Sequence, residues 1–311
     1  MGPLEADRGL FRTAREPDPD VDRPVLRVAP EGHCSLTDLK HMKDDVNNRR
    51  RIRPGRKLRL AAIALRENGL IWCVLLVAYY VSSSVAHRTF AWMTLRRQRH
   101  GIPGLNSPTL NREIWDGWNW EAGGEEWSGS AQWMASLRRC VLEARIPMQS
   151  SVLEIGPGAG RWTVDLLPRA CQYVGVDISD ICIQKCRSRF RDANHARFMT
   201  GSGNDLADVE SGSIDAIWSF DVFVHINRRE FERYADEFVR VLRPGGIGVI
   251  HHGSIAGASG GWRSDVTAAA VQELLTRRGL RIEDSFGEWT DLGEVHRLSY
   301  DDLITVFRRP T

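Results

Sequence analysis

The sequence predicts an α/β fold built on a doubly wound sheet, and three observations carry that prediction. At residues 151–163 the apolar run Val152, Leu153 and Ile155 suits a buried strand. Gly156, Pro157, Gly158, Ala159 and Gly160 then break it before a helical pattern opens at Arg161. A second apolar run at 172–176 ends in Asp177, about 20 residues past the turn, where this kind of unit carries an acid. Beyond it, helical and strand patterns alternate to the end of the chain.

Glycines in such a turn let the backbone bend sharply and approach a ligand with no Cβ in the way, and the helix behind them offers free N–H groups. A nucleotide-like cofactor fits there. The spacing narrows the choice. A dinucleotide fingerprint would place its third glycine where this chain has Arg161, so a nicotinamide dinucleotide is disfavoured.

The elements follow in order. Residues 1–58 read as an unstructured tail of prolines and acids, ending in a basic block of Arg49, Arg50, Arg51, Arg53, Arg56, Lys57 and Arg59. That block is either a solvated tail or an attraction to anionic lipid. His33 and Cys34 have no partners at ligand spacing. Residues 59–100 read as an apolar helical extension. Within it 68–86 is an uncharged run of 19 residues, just reaching the ~20 a bilayer-spanning helix needs. Arginines flank both sides, so charge sets no topology. Two readings stay open: a membrane anchor or surface-lying helix, and a buried or dispensable extension after which Met93 could start a complete domain.

Residues 101–150 form an irregular cap followed by a lead-in helix over 131–144. The cap is dense in tryptophan, with Trp115, Trp118, Trp120, Trp127 and Trp133, and its prolines and glycines argue against one long helix. These rings either stack on a substrate or pack the cap onto the sheet. The domain proper, 151–309, continues with helices near 180–190, 229–242 and 266–278, and with strands near 196–200, 214–220, 247–250, 281–286 and 303–307. Arg243-Pro244-Gly245-Gly246 reads as the turn that ends one of the helices.

Composition bounds little else. A formal net charge of +2 on 311 residues carries no global signal for nucleic acid. The six cysteines show no C-x-x-C pair and no metal spacing, which points to a reducing, cytoplasmic setting with membrane association through 68–86 as the alternative.

The acid–glycine segment (Glu154, Gly156, Gly158, Gly160), the acid Asp177, the segment 211–226 and Leu242-Arg243-Pro244-Gly245-Gly246 occur in the order and separation found in class I S-adenosylmethionine (SAM) methyltransferases. The chain resembles that Rossmann-like family over about residues 100–309. The resemblance implies SAM as cofactor. Glu154, Gly156, Gly158 and Gly160 would shape the methionine pocket, Asp177 would hold the ribose hydroxyls, Ile178 would pack on adenine, and Ser202, Gly203 and Phe220 would complete the cofactor set. Ser202 and Gly203 stand where the family usually has an acid.

Methyl transfer from a sulfonium needs no acid for its leaving group, so a hydroxyl acceptor mainly needs a base. Asp221, His225, His251 and His252 fall at the carboxyl ends of the fourth and fifth strands, where an open α/β sheet forms its crevice. Side chains alternate along a strand, so only one of His251 and His252 faces that crevice. The expectation is a small-molecule O-methyltransferase with a histidine base, acting on a carbohydrate or other hydroxylated metabolite. Metal ligation by the histidines and Asp221 is weighed and not favoured. N-, C- or lipid methylation and a non-catalytic SAM-binding protein stay open. Nucleic acid is disfavoured, since no base-holding Asn-Pro-Pro-Tyr-like motif follows the fourth strand. Trp262, Arg263 and Ser264, past a glycine-rich loop at 253–261, either clamp an acceptor or start the next helix.

Overall fold

The computed structural model describes residues 54–127, 129–255 and 263–311. The tail with its His33 and Cys34, most of the basic block, and Trp262 lie outside the described residues. The chain divides into two units, Met1–Ala78 and Tyr79–Thr311. Helix α1, Pro54–His100, runs through both. Among the described residues no helix is long and apolar enough to cross a membrane.

In the second unit, α2 (Pro108–Asp116) starts on Ser107, whose hydroxyl accepts the Leu110 N–H, with Pro108 at the first position where a missing N–H costs nothing. Two 3₁₀ turns, Trp120–Ala122 and Glu125–Trp127, complete the cap. Helix α3, Ala131–Leu137, continues through a π turn at Arg138–Leu142 into a last turn at Glu143–Arg145.

The sheet follows. Its strands are β1 Ser150–Ile155, β2 Ala170–Asp177, β3 Ala196–Thr200, β4 Ile214–Ser219 and β5 Leu242–His252. After them come β6 Arg281–Phe286, the hairpin β7 Glu288–Asp291 and β8 Glu294–Arg297, and β9 Leu303–Arg308. The helices between are α4 Thr163–Leu166, α5 Asp180–Arg189, α6 Arg228–Val241 and α7 Ala268–Thr276. Strand order in the seven-stranded sheet is β3-β2-β1-β4-β5-β9-β6. The first five strands are parallel; β9 runs antiparallel to both β5 and β6.

Each face of the sheet buries its own core, as a doubly wound sheet requires. Leu153 and Ile155 join Phe223, Phe231 and Phe238 on one face, while Val152 joins Leu137, Leu142 and Trp218 on the other. Helix α6 shows why it forms: Asn227 accepts the Glu230 N–H at its start, and Phe231, Tyr234, Ala235, Phe238 and Val241 line one buried stripe.

The segment 243–246 follows α6 at once, with Gly245 at φ 81° as the expected turn requires. Pairing with β4 is made at Leu242, breaks over 243–246 and resumes at Ile247, while Gly245 donates its N–H to Arg309 O. The β7–β8 hairpin has no counterpart in the predicted elements. Its strands are short and its outward residues polar or exposed, which leaves little alternation to detect.

Candidate active site

Sheet order fixes where a site can form. From β1 the chain winds outward to β2 and β3, then returns to lay β4 on the other side of β1 and continue to β5. Crevices open at the carboxyl ends of strands at such a reversal. A cavity of about 630 Å³ lies there, within the usual range for a small-molecule site.

One end is built by the glycine turn. Gly156 and Gly158 line the cavity with φ of 73° and 58°, a region a side chain enters only with strain. A Cβ on Gly156 would run into Val222, and one on Gly158 would stand 3.0 Å from the Trp120 ring. Asp177 closes β2 into the same space. Its Oδ2 accepts the Gly158 N–H at 2.9 Å and its Oδ1 the Ser179 N–H at 2.9 Å, so the carboxylate is aimed and each oxygen keeps a further lone pair. Burial pushes its pKa up to about 6, partly offset by those two N–H bonds. Ile178, Gly203 and Phe220 line the cavity too. A close-approach turn followed by an aimed acceptor for sugar hydroxyls is a donor and acceptor set that fits a nucleoside cofactor.

Three cofactor candidates are not among the lining residues. Gly160 packs instead against Phe190 and Arg189, and Ser202 bonds its hydroxyl to Asn204 at 3.0 Å. Glu154 lies beneath the turn, 1% exposed, its Oε2 accepting the Thr163 and Tyr173 hydroxyls at 2.7 and 2.5 Å. Burial drives its carboxyl up to about 7, the two hydroxyls only partly opposing.

The tryptophans form a cap. Trp115 sits 5.9 to 6.0 Å from the rings of Trp118, Trp120 and Trp127, and Trp120 donates its indole N–H to Trp115 O. Trp115, Trp120, Trp127 and Trp133 also line the cavity, so the cap packs on itself and walls the site at once.

The opposite end is polar. Asp221, at φ 61° just past β4, pairs with Arg161 and lies with Oδ1 3.0 Å from His251 Nδ1. His251 Nε2 lies 3.2 Å from Asp302 Oδ2 without the alignment of a hydrogen bond, and Asp302 pairs with Arg263. Arg161, Asp221, His251, Asp302 and Arg263 thus follow one another along the wall, with the imidazole between two carboxylates that each meet a guanidinium. Burial works against a charged His251 ring, but the Asp221 and Asp302 carboxylates outweigh it and raise its pKa. Burial works against the Asp221 carboxylate as well, yet His251 and Arg161 hold it well below the usual range. The Phe220 ring stacks on His251 at 4.3 Å.

His252 does not reach the cavity. It points the other way, with Nδ1 2.8 Å from Gly253 O and Nε2 2.7 Å from Thr305 Oγ1, and burial lowers its pKa to about 4. That corrects its place among the catalytic candidates, and strand alternation is the reason. His225 lines the cavity with its ring 5.3 Å from Trp115. Arg263 lies at the site too, while Ser264 is buried and bonds Ile226 O. Among the described residues no group of His, Cys, Asp and Glu is arranged to hold a metal ion.

Asp302 is the residue sequence reasoning missed. The rule that sites form at carboxyl ends looks past it, because it precedes a strand. Yet β9 is antiparallel, with Ile304 opposite His251, so its amino end arrives at the same edge.

The fold is a doubly wound sheet, and the cavity at its reversal has a lining that fits a nucleoside cofactor. Residues 152–246 match the profile of the methyltransferase domain family. Over those residues, from β1 into β5, the chain is similar to class I SAM-dependent methyltransferases, whose cofactor is SAM. Phosphoethanolamine N-methyltransferase 1 of Arabidopsis thaliana is 32% identical over 98 residues, covering 31% of this chain and 20% of that protein. An uncharacterized methyltransferase of Mycobacterium sp. (strain JLS) is 27% identical over 163 residues, covering 51% and 62%. The chain spans less than two thirds of the length of either. Among solved structures, the complex between the Haloferax volcanii Trm112 activator and a methyltransferase contains a chain with TM-score 0.52 and 19% identity, covering 64% of this chain and 97% of that one. That likeness is one of fold.

Proposed function

We propose that the protein transfers a methyl group from SAM to a hydroxyl of a small polar acceptor, a carbohydrate or similar metabolite, with His251 taking the proton. The observation that carries this is the His251 ring in the cavity wall, held at Nδ1 by the Asp221 backbone N–H at 3.1 Å with the Asp221 carboxylate alongside. Bound SAM supplies a methyl group on a sulfonium, open to displacement. This chain's residues do the rest. Asp177, Gly156, Gly158, Ile178, Gly203 and Phe220 hold the cofactor, and the tryptophans exclude water. Asp221 and His225 border the acceptor.

Only the neutral His251 ring accepts a proton, so the rate on a hydroxyl acceptor rises with pH through a pKa above the ordinary 6.5. Labelled SAM offered with sugar, phenol and amine acceptors tests the reading. Transfer to hydroxyls, falling about 10²-fold or more in His251→Gln with SAM affinity intact, is expected. Transfer to amines alone, undiminished in His251→Gln, overturns it.

N-methylation is the second reading. It is favoured by the name of the Arabidopsis relative and by the aromatic wall next to Asp221, which suits a cationic product. For location we propose the cytoplasm, with lipid contact through α1. Its exposed Leu70, Ile71, Val74 and Val77 support that contact, and co-sedimentation with anionic vesicles, lost in a chain starting at Met93, is its test.

A further inference from the structure

We propose that Asp302 is a positioning residue of the transfer site: through its charge beside Nε2 it sets the proton affinity of the His251 ring. The inference rests on the reading that His251 serves the acceptor, and the geometry suggests it independently of the acceptor's identity. His251 sits between carboxylates delivered by different parts of the fold. Asp221 comes from the loop after β4 and Asp302 from the residue before β9. Asp302 is 3% exposed, so water does little to screen it, and it lies in the cavity wall.

Each carboxylate is shared with a guanidinium: Arg161 takes part of the Asp221 charge and Arg263 part of that of Asp302. His252, next along β5, opposes a charge on His251 but is itself held neutral by burial. The Phe220 ring covers one face of the imidazole. Nδ1 accepts the Asp221 backbone N–H at 3.1 Å with the Asp221 carboxylate beside it, and Asp302 is the group that faces the buried Nε2. Its charge stabilises the protonated ring, and Arg263 sets how much of that charge the ring feels.

The test reads His251 directly, without turnover. In the full chain with ring-labelled histidines, the His251 signal, assigned by its loss in His251→Gln, is followed against pH by NMR. Asp302→Asn lowers the titration midpoint by about one pH unit, a roughly tenfold loss of proton affinity, and Asp302→Glu restores most of it. Arg263→Met shifts the midpoint upward, since it frees the Asp302 charge. A folded Asp302→Asn chain with an unchanged midpoint overturns the proposal. If Asp302→Asn does not fold, an unchanged or lowered midpoint in Arg263→Met overturns it instead. If the midpoint moves as stated while the pH dependence of methyl transfer stays put, Asp302 keeps its role and the base assigned to His251 falls.

Discussion

At the scale of single residues, the site turns on backbone freedom and on charge held out of water. Gly156 combines positive φ with a neighbour that leaves no room for a Cβ. Gly156→Ala should therefore cost about 2 kcal/mol of stability and weaken SAM binding together, as read by melting and calorimetry. Glu154 makes a second claim. Its folded pKa, about 7, is raised above the ordinary 4.5, so the folded state binds the proton more tightly. Its contribution is complete below pH 4.5 and is lost as pH rises toward 7, at up to about 1.4 kcal/mol per pH unit. Glu154→Gln should flatten the dependence of melting temperature on pH in that window. Some slope should remain, because Asp177, raised to about 6, acts with the same sign. An unchanged slope in the variant would show that Glu154 does not stay buried and protonated. Much of this was legible in the sequence: the glycines, Asp177 and the alternation of His251 and His252 all follow from spacing. The partner of Glu154 was not, since Tyr173 is 19 residues away and meets it only across paired strands.

At the scale of elements, the cap and the segments flanking the last strands wall the cavity. Trp133 donates its indole N–H to Arg297 O, and Trp289 of the hairpin donates to Ser136, so the hairpin is tied to α3 by two indoles. The tryptophan-rich stretch was legible as a cap. That its rings would both pack and wall a cavity was not, because the two outcomes have one composition. The hairpin and Asp302 were illegible for a topological reason: an antiparallel strand at the end of a parallel sheet leaves no mark in local periodicity. Helix α1 makes its own contribution near its end, where buried Arg97 bonds Asn106 at 2.7 Å and pairs with Asp265 at 3.3 Å. Arg97→Ala should cost about 2 to 3 kcal/mol, whereas removing residues before Met93 should leave the second unit's melting temperature nearly unchanged. Equal losses in both would refute this division.

At the scale of the whole molecule, the order of the strands places every residue discussed at one edge of one sheet. The reversal between β1 and β4 opens the crevice, the parallel strands bring Asp177, Asp221 and His251 to it, and β9 adds Asp302 from the opposite direction. The central claim is that SAM binds at the turn after β1 with its ribose on Asp177. Calorimetry with SAM and its demethylated product, on the full chain and on Asp177→Asn, tests it most directly. The account predicts binding of both by the native chain and at least a tenfold loss in a variant that remains folded. Equal affinity in the two chains, or no binding by the native one, would contradict it.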